Sequence, residues 1–290
     1  MQKNVLNTDL TGKVAVVTGA GGVLCSYFAK VLARAGAKVA LLDLNFDTAN
    51  QFAEEITAEG GIAKAYSCNV LDKDICYSVA DQVLADLGPC DILLNGAGGN
   101  NPKGSTSRDV LTPEEAAELL ENGTIEGVKT FFDLDPEGIS FVFNLNFLGT
   151  LIPTQVFARD MTKKGGAIIN VSSMNAFRPL TRIPAYSGAK AAVSNFTAWL
   201  AVHFAPVGIR CNAIAPGFFL TEQNRTLLKN PDGSLTPRSE KILGHTPMGR
   251  FGVPADLDGV LLWLADEKFS GFVDGVVVPV DGGFAAYSGV

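Results

Sequence analysis

The sequence predicts an α/β fold: a doubly wound parallel sheet (Rossmann fold) of seven strands, with helices on both faces, in a single domain. Three observations predict it. Short β-branched runs alternate with longer helical stretches along the chain. Several of those runs, such as Val14-Ala15-Val16-Val17, are apolar throughout, as strands covered on both faces must be. The 290 residues are 47% hydrophobic and 18% charged, enough apolar material for one large core.

In chain order, strands are expected at 13–18, 38–43, 62–68, 91–95, 167–172, 209–214 and 275–280. Helices are expected between them, at about 22–35, 46–59, 72–87, 136–162, 184–204 and 254–266. Right-handed crossovers would gather the loops after the strands along one edge of the sheet. Two stretches break the alternation. Residues 99–134 form an insertion after the fourth strand, with a helix signal of its own in "LTPEEAAELLENG". There Thr112 can cap, Pro113 suits the first turn, Glu115 completes a capping box and Gly123 stops the helix. Residues 217–250 are punctuated by Gly and Pro, with a helical segment near 236–243. Loops this long inside a compact domain are usually functional or disordered.

A net charge of −7 disfavours a nucleic-acid partner, since phosphate contact needs clustered Lys and Arg. The five cysteines (Cys25, Cys68, Cys76, Cys90, Cys211) form no CxxC pair and are odd in number, so reduced core thiols of a cytoplasmic protein are expected. The two histidines, His203 and His245, lie far apart, and no metal site is expected. The first residues, "MQKNVLNTDLTGK", lack the apolar centre of a signal peptide. No uninterrupted apolar run approaches the roughly 20 residues of a membrane span, so no membrane partner is expected.

The stretch "TGAGGVLC" at 18–25 sits between the first strand and the first helix, the setting of a dinucleotide-binding turn. Gly19, Gly21 and Gly22 let the backbone approach a pyrophosphate at the helix N-terminus, where Val23 and Leu24 follow with ordinary backbone N–H groups. Asp43 closes "KVALLD", 24 residues beyond Gly19. An acid there can accept from ribose hydroxyls and repel a 2′-phosphate; the alternative is a helix cap. No Lys or Arg lies within 18–25 or 44–46, which favours NAD over NADP. In "NGAGG" at 95–99, Asn95 can tie adjacent strands, while Ala97 and Gly98 leave room for a flat ring and a sugar.

The chemical centre is expected in "NVSSMNAFRPLTRIPAYSGAK", residues 170–190. Tyr186 and Lys190 are four apart on a helix, hence on one face. An ammonium beside a phenol favours phenolate and lowers its pKa, which suits a carbonyl reductase near neutral pH. Ser173, 13 residues before Tyr186 and at the end of the fifth strand, can hydrogen-bond a substrate carbonyl. Each residue alone fits an ordinary helix surface or loop; the combination carries the reading.

These elements resemble the short-chain dehydrogenase/reductase superfamily. The match comprises the TGxxxGxG-like turn, Asp43, Asn95-Gly96-Ala97-Gly98, "NFLGT" at 146–150, Ser173, Tyr186-x-x-x-Lys190, "PGFFLT" at 216–221 and "VDGG" at 280–283. The resemblance implies a catalytic tetrad of Asn146, Ser173, Tyr186 and Lys190. By it, Tyr186 exchanges the proton, Lys190 lowers its pKa and holds the nicotinamide ribose, Ser173 orients the carbonyl, and Asn146 holds a water. It also implies cofactor contacts at Asn69, Val70, Pro216, Gly217, Phe219 and Thr221, and a homotetramer built partly on the helices at 136–162 and 184–204. Three departures stand out. Val23 and Cys25 replace the second and third glycines of the turn, Asn69 stands where an Asp commonly touches adenine, and Gly96 has lost an amide side chain.

The wording "GGVLCS", "NGAGGNNPK" and "HTPMGRFG" also resembles one subgroup of that superfamily, the D-mannonate oxidoreductases, or fructuronate reductases. That implies interconversion of D-fructuronate and D-mannonate with NADH. A sugar acid needs Arg or Lys for its carboxylate and amides or hydroxyls for its alcohols. Candidates are Asn100, Asn101, Lys103, Asn175, Arg178, Arg182, Arg225 and His245, each alone compatible with a solvated loop residue. The 99–134 insertion and the 217–250 loop are expected to close over the substrate as a lid. The competing readings are a reductase of another sugar acid, a polyol or a 3-ketoacyl thioester, and a non-catalytic NAD-binding sensor.

Overall fold

The structure, a computed structural model, describes residues 7–220, 228 and 230–289. Seven strands, β1 (Val14–Thr18), β2 (Lys38–Asp43), β3 (Ile62–Ser67), β4 (Ile92–Asn95), β5 (Gly166–Val171), β6 (Ile209–Pro216) and β7 (Val277–Val280), pair in the order β3-β2-β1-β4-β5-β6-β7. Every pairing is parallel. The chain builds outward from β1 to β3, then crosses back to β4 on the other side of β1. That reversal opens a crevice beyond the carboxyl ends of β1 and β4, where such sheets bind ligands.

The helices are α1 (Val23–Arg34), α2 (Phe46–Ala58), α3 (Lys73–Asp86), α4 (Pro113–Asn122), α5 (Pro136–Phe143), α6 (Gly149–Met161), α7 (Pro184–Phe204), α8 (Pro237–Gly244), α9 (Asp258–Ala265) and α10 (Glu267–Ser270). Successive strand residues face opposite sides of the sheet. Ala15 and Val17 therefore join a layer with Phe28 and Leu32 of α1 and Leu261 and Leu264 of α9. Val14 and Val16 join the other, with Val83 of α3, Phe157 and Met161 of α6, and Leu200 of α7. Two cores, one sheet: this is why the strand runs are apolar without alternation. Helix α1 buries Cys25, Phe28, Ala29 and Leu32, the one-face spacing of an amphipathic helix. Truncating Phe28 to Ala would cost about 3–5 kcal/mol.

Local signals placed the inserted helix. In α4 the Thr112 side chain accepts from Glu115 N at 3.2 Å, the Glu115 carboxylate accepts from Thr112 N at 3.1 Å, and Gly123 closes the helix at φ 73°. Two expectations need correction. The single helix expected at 136–162 is α5 and α6 joined by a π-helical turn, Asn144–Leu148. The helix expected from 254 opens as a 3₁₀ turn, Pro254–Leu257, and becomes α-helical only at Asp258. The 26-residue helical run Pro136–Met161 contains a window of mean hydropathy 1.3, which passes for a membrane span by length and composition alone. Half of that apolar window is buried within this domain, as in the core helix of a sheet-covering layer. All five cysteines are free and buried.

Candidate active site

Gly19 turns the chain at the end of β1 with φ 66°, a left-handed conformation that favours glycine. A Cβ there would lie 2.8 Å from Ala97 Cα, so the turn and the segment after β4 touch backbone to backbone. The cap residue Gly22 offers no side-chain acceptor to α1. The first-turn N–H groups at Val23 and Leu24 thus remain available to an anion. Asp43, half-buried at the end of β2, accepts from Gly21 N at 2.9 Å and from Asn45 N at 2.8 Å. The cap of α2 is Asn45, whose side chain accepts from Thr48 N, so Asp43 holds the turn and not the helix, and each of its carboxylate oxygens keeps a further lone pair. Asn69 accepts from Leu71 N at 3.1 Å, and its amide N–H₂ has no partner among the described residues. Val70 is buried beside Gly149.

At the end of β4, Asn95 is buried and donates to Thr154 Oγ1 and Asn170 Oδ1, each at 2.9 Å. It ties β4 to β5 and to α6, and its Oδ1 has no partner among the described residues. Ala97 and Gly98 do line the crevice side: a Cβ on Gly98 would lie 2.6 Å from Asn146 Oδ1 and 3.2 Å from Lys190 Nζ. Pro216 ends β6, and Gly217 N donates to Val280 O at 2.9 Å. Phe219 sends its ring into the core against Gly252. Thr221 and Arg225 lie outside the described residues. The uncapped helix start, the left-handed turn, Asp43 and the gap at Gly98 fit a dinucleotide.

The four side chains expected to form the tetrad converge beside that gap. Pro184 starts α7, and Tyr186 and Lys190 follow in its first turns. Lys190 is buried; its Nζ donates to Val171 O at 2.8 Å and lies 5.6 Å from the centre of the Tyr186 ring. Desolvation lowers the Lys190 pKa to about 8. Burial also pushes the Tyr186 phenol above its ordinary value, while the Ser173 hydroxyl pulls it down. This corrects the expectation of an acidic phenol. The ammonium stands over the ring and bonds to a backbone carbonyl, so desolvation dominates. Ser173 Oγ accepts from Asn175 N at 3.3 Å. Asn146 sits in the π turn, fully buried; its amide donates to Gly99 O at 2.7 Å and Val142 O at 2.8 Å. A widened turn leaves carbonyls that side chains can answer, a frequent feature of functional sites.

Behind the tetrad runs a buried polar network of which sequence reasoning found only Asn95, the tie between adjacent strands. Thr150 Oγ1 donates to Asn146 O at 2.9 Å, Thr154 Oγ1 to Thr150 O at 2.7 Å, and Asn95 to Thr154 and Asn170. Asn170 Nδ2 then donates to Thr197 Oγ1 at 2.9 Å, on the helix that carries Tyr186 and Lys190. The available signal was an asparagine inside the apolar run of β5.

The substrate candidates separate into two groups. Lys103 pairs with Asp135 at 3.3 Å, and Arg182 with Asp109 at 2.6 Å, so neither cation is open as expected. Asn101 accepts from Lys103 N, Asn100 donates to Ser105 Oγ, and His245 Nδ1 contacts Lys241 O. These three serve local turns. Asn175, by contrast, is buried with its side-chain oxygen unpartnered. Arg178, three residues on, is exposed, and no described residue partners its guanidinium. Asp109 also accepts from Lys241 at 2.6 Å and Thr181 at 3.1 Å. The Lys241 ammonium and the Arg182 guanidinium hold its carboxyl well below the usual range. The insertion, the segment before Tyr186 and α8 thus meet on one carboxylate. Arg182 itself has φ 70°, and Thr106 N donates to its carbonyl at 2.8 Å.

Known proteins share this sequence pattern and fold. The family described as short chain dehydrogenase matches residues 13–119, and the one described as Enoyl-(Acyl carrier protein) reductase matches residues 119–285. An uncharacterized oxidoreductase of Haemophilus influenzae is 59% identical over 285 residues, 98% of this chain and 97% of its own. A crystal structure of a candidate D-mannonate oxidoreductase from Haemophilus influenzae, with bound NAD, is 58% identical. It superposes with a TM-score of 0.92, over 98% of this chain and 99% of that one. A gluconate 5-dehydrogenase from Burkholderia cenocepacia, in complex with NADP and tartrate, is 28% identical with a TM-score of 0.78, over 97% and 98%. Matched by these family models from residue 13 to 285 and by a relative 59% identical along almost its whole length, the protein belongs to the short-chain dehydrogenase/reductase family of nicotinamide-dependent oxidoreductases.

Proposed function

We propose that the protein is an NAD-dependent oxidoreductase of sugar acids, interconverting D-fructuronate and D-mannonate. The observation that carries it is the sorting of the rim cations. Lys103 and Arg182 are neutralised by Asp135 and Asp109, whereas Arg178 has no partner among the described residues and lies three residues from the orphan oxygen of buried Asn175. A free guanidinium suits a carboxylate, and an unpaired amide oxygen suits a neighbouring hydroxyl. The NAD-bound relative at 58% identity supports the same substrate.

When bound, the nicotinamide supplies or takes the hydride. The residues do the rest. Burial keeps Tyr186 neutral, so in reduction its O–H can donate to the carbonyl oxygen as negative charge develops there. Ser173 aims its hydroxyl at the same oxygen, and Lys190 offers its ammonium to the ribose. Both amide protons of Asn146 go to backbone carbonyls, so its part is to hold Gly99 and the helix in register. NAD is favoured by Asp43, whose carboxylate would face a 2′-phosphate with like charge. The Asp109 clasp supports closure of the insertion and the later loop over the substrate. Exposed Phe141 on α5 and Trp199 and Val202 on α7 support assembly of copies into a homotetramer, and the free cysteines support a cytoplasmic setting.

Absorbance of NADH and NADPH should be followed against fructuronate, tagaturonate, 5-ketogluconate and acetoacetyl thioesters. NADH with fructuronate is expected to be fastest. Faster turnover of 5-ketogluconate would reassign the substrate to the gluconate class, which the 28%-identical relative favours. Deleting residues 104–130 should raise KM for the sugar acid and leave NADH affinity intact; unchanged kinetics in a folded deletion would remove the lid.

A further inference from the structure

Cys25 and Gly96 depart from the family pattern separately in sequence, yet they share one volume. A Cβ added to Gly96 would lie 2.2 Å from Cys25 Sγ and 3.0 Å from Thr18 O. The thiol is buried, on the first turn of α1, and it fills the space a side chain at 96 would take. Its neighbours are gripped as well. Gly96 N and Ala97 N donate to Thr18 Oγ1 at 3.1 and 3.3 Å. Gly19 abuts the Ala97 backbone, and Gly98 abuts Asn146 and Lys190. Each residue from 96 to 98 therefore presses on a different part of the cofactor crevice.

We propose that Cys25 is a positioning residue: by filling the notch at Gly96, its thiol sets the spacing between the glycine turn and the 96–98 segment, and with it the seat of the dinucleotide and of Lys190. The two departures are one exchange of volume. Burial pushes the thiol up to about 12, so it acts by size and not by charge. The inference rests on the family's nicotinamide cofactor and not on the sugar-acid reading. NADH binding is measurable without substrate, so the two readings fail independently.

The test is a cycle of Gly96→Ala, Cys25→Ala and the double variant. NADH Kd would be read by fluorescence titration, with kcat and Tm alongside. Gly96→Ala is expected to raise Kd about tenfold and lower kcat about tenfold, as a displaced site does. Cys25→Ala should weaken NADH about threefold, and the double variant should return within about threefold of wild type. If Gly96→Ala lowers Tm and leaves Kd and kcat unchanged, or if the double variant is no better than Gly96→Ala, the proposal is overturned. Should Gly96→Ala not fold, Cys25→Val presses the same notch from the helix side. A raised Kd there supports the proposal, and an unchanged one overturns it.

Discussion

The floor of the site and its rim hold polar groups in opposite ways. On the floor, Asn146, Lys190, Asn95, Asn170 and Thr154 are buried and bonded to backbone or to one another. On the rim, Lys103, Arg182 and Lys241 are exposed and bonded to carboxylates from distant segments. Rearranging the floor would strand buried donors and acceptors, at about 1–3 kcal/mol each. Re-pairing the rim costs little, since an exposed ion pair contributes about 0–1 kcal/mol. The fold thus fixes the reacting atoms and leaves the walls exchangeable, which is where members of one family can differ in substrate.

Four measurements would break or sharpen that contrast. Tyr186→Phe should lower kcat about 10³-fold while NADH Kd stays within a few-fold. Full turnover would move the proton donor elsewhere. Thr154→Val, isosteric and fully interior, leaves Asn95 one acceptor short. It should cost about 1–3 kcal/mol by urea denaturation, and a neutral result would show the floor to be looser than its bonds suggest. Asp109→Asn should release Arg182 and Lys241, raise KM for the sugar acid several-fold, and move stability by no more than about 1 kcal/mol. A larger loss of stability than of affinity would make the clasp part of the floor. The mildest effect is on pH. Lys190 loses its proton through about 8, so kcat/KM for NADH should be flat below that pH and decline above it. A profile flat to pH 10 would place the ammonium outside the binding step.

Much of this was legible because it is local. Apolar runs gave each strand to within two residues, and the Thr112–Glu115 box and Gly123 bounded α4. The turn, Tyr186, Lys190 and Ser173 carry their spacing in the sequence itself. Arg182 and Lys103 misled because the acids that claim them, Asp109 and Asp135, lie far along the sequence. Lys241 reaches Asp109 across 132 residues. Tyr186 misled for another reason: the neighbouring charge is visible in sequence, whereas the depth of burial that outweighs it is a property of the packed layers.

The wide turn at Asn144–Leu148 makes this segment a counter of residues. One position more than a regular helix requires turns α5 by about 100° relative to α6. Composition within the turn has some freedom, since most of it merely continues a rod. Length has none. Removing a single residue would restore a straight rod, swing α5 away from Gly104 in the insertion, and unhook Asn146 from Gly99. Variants of this stretch should therefore tolerate replacements away from Asn146 and no deletions.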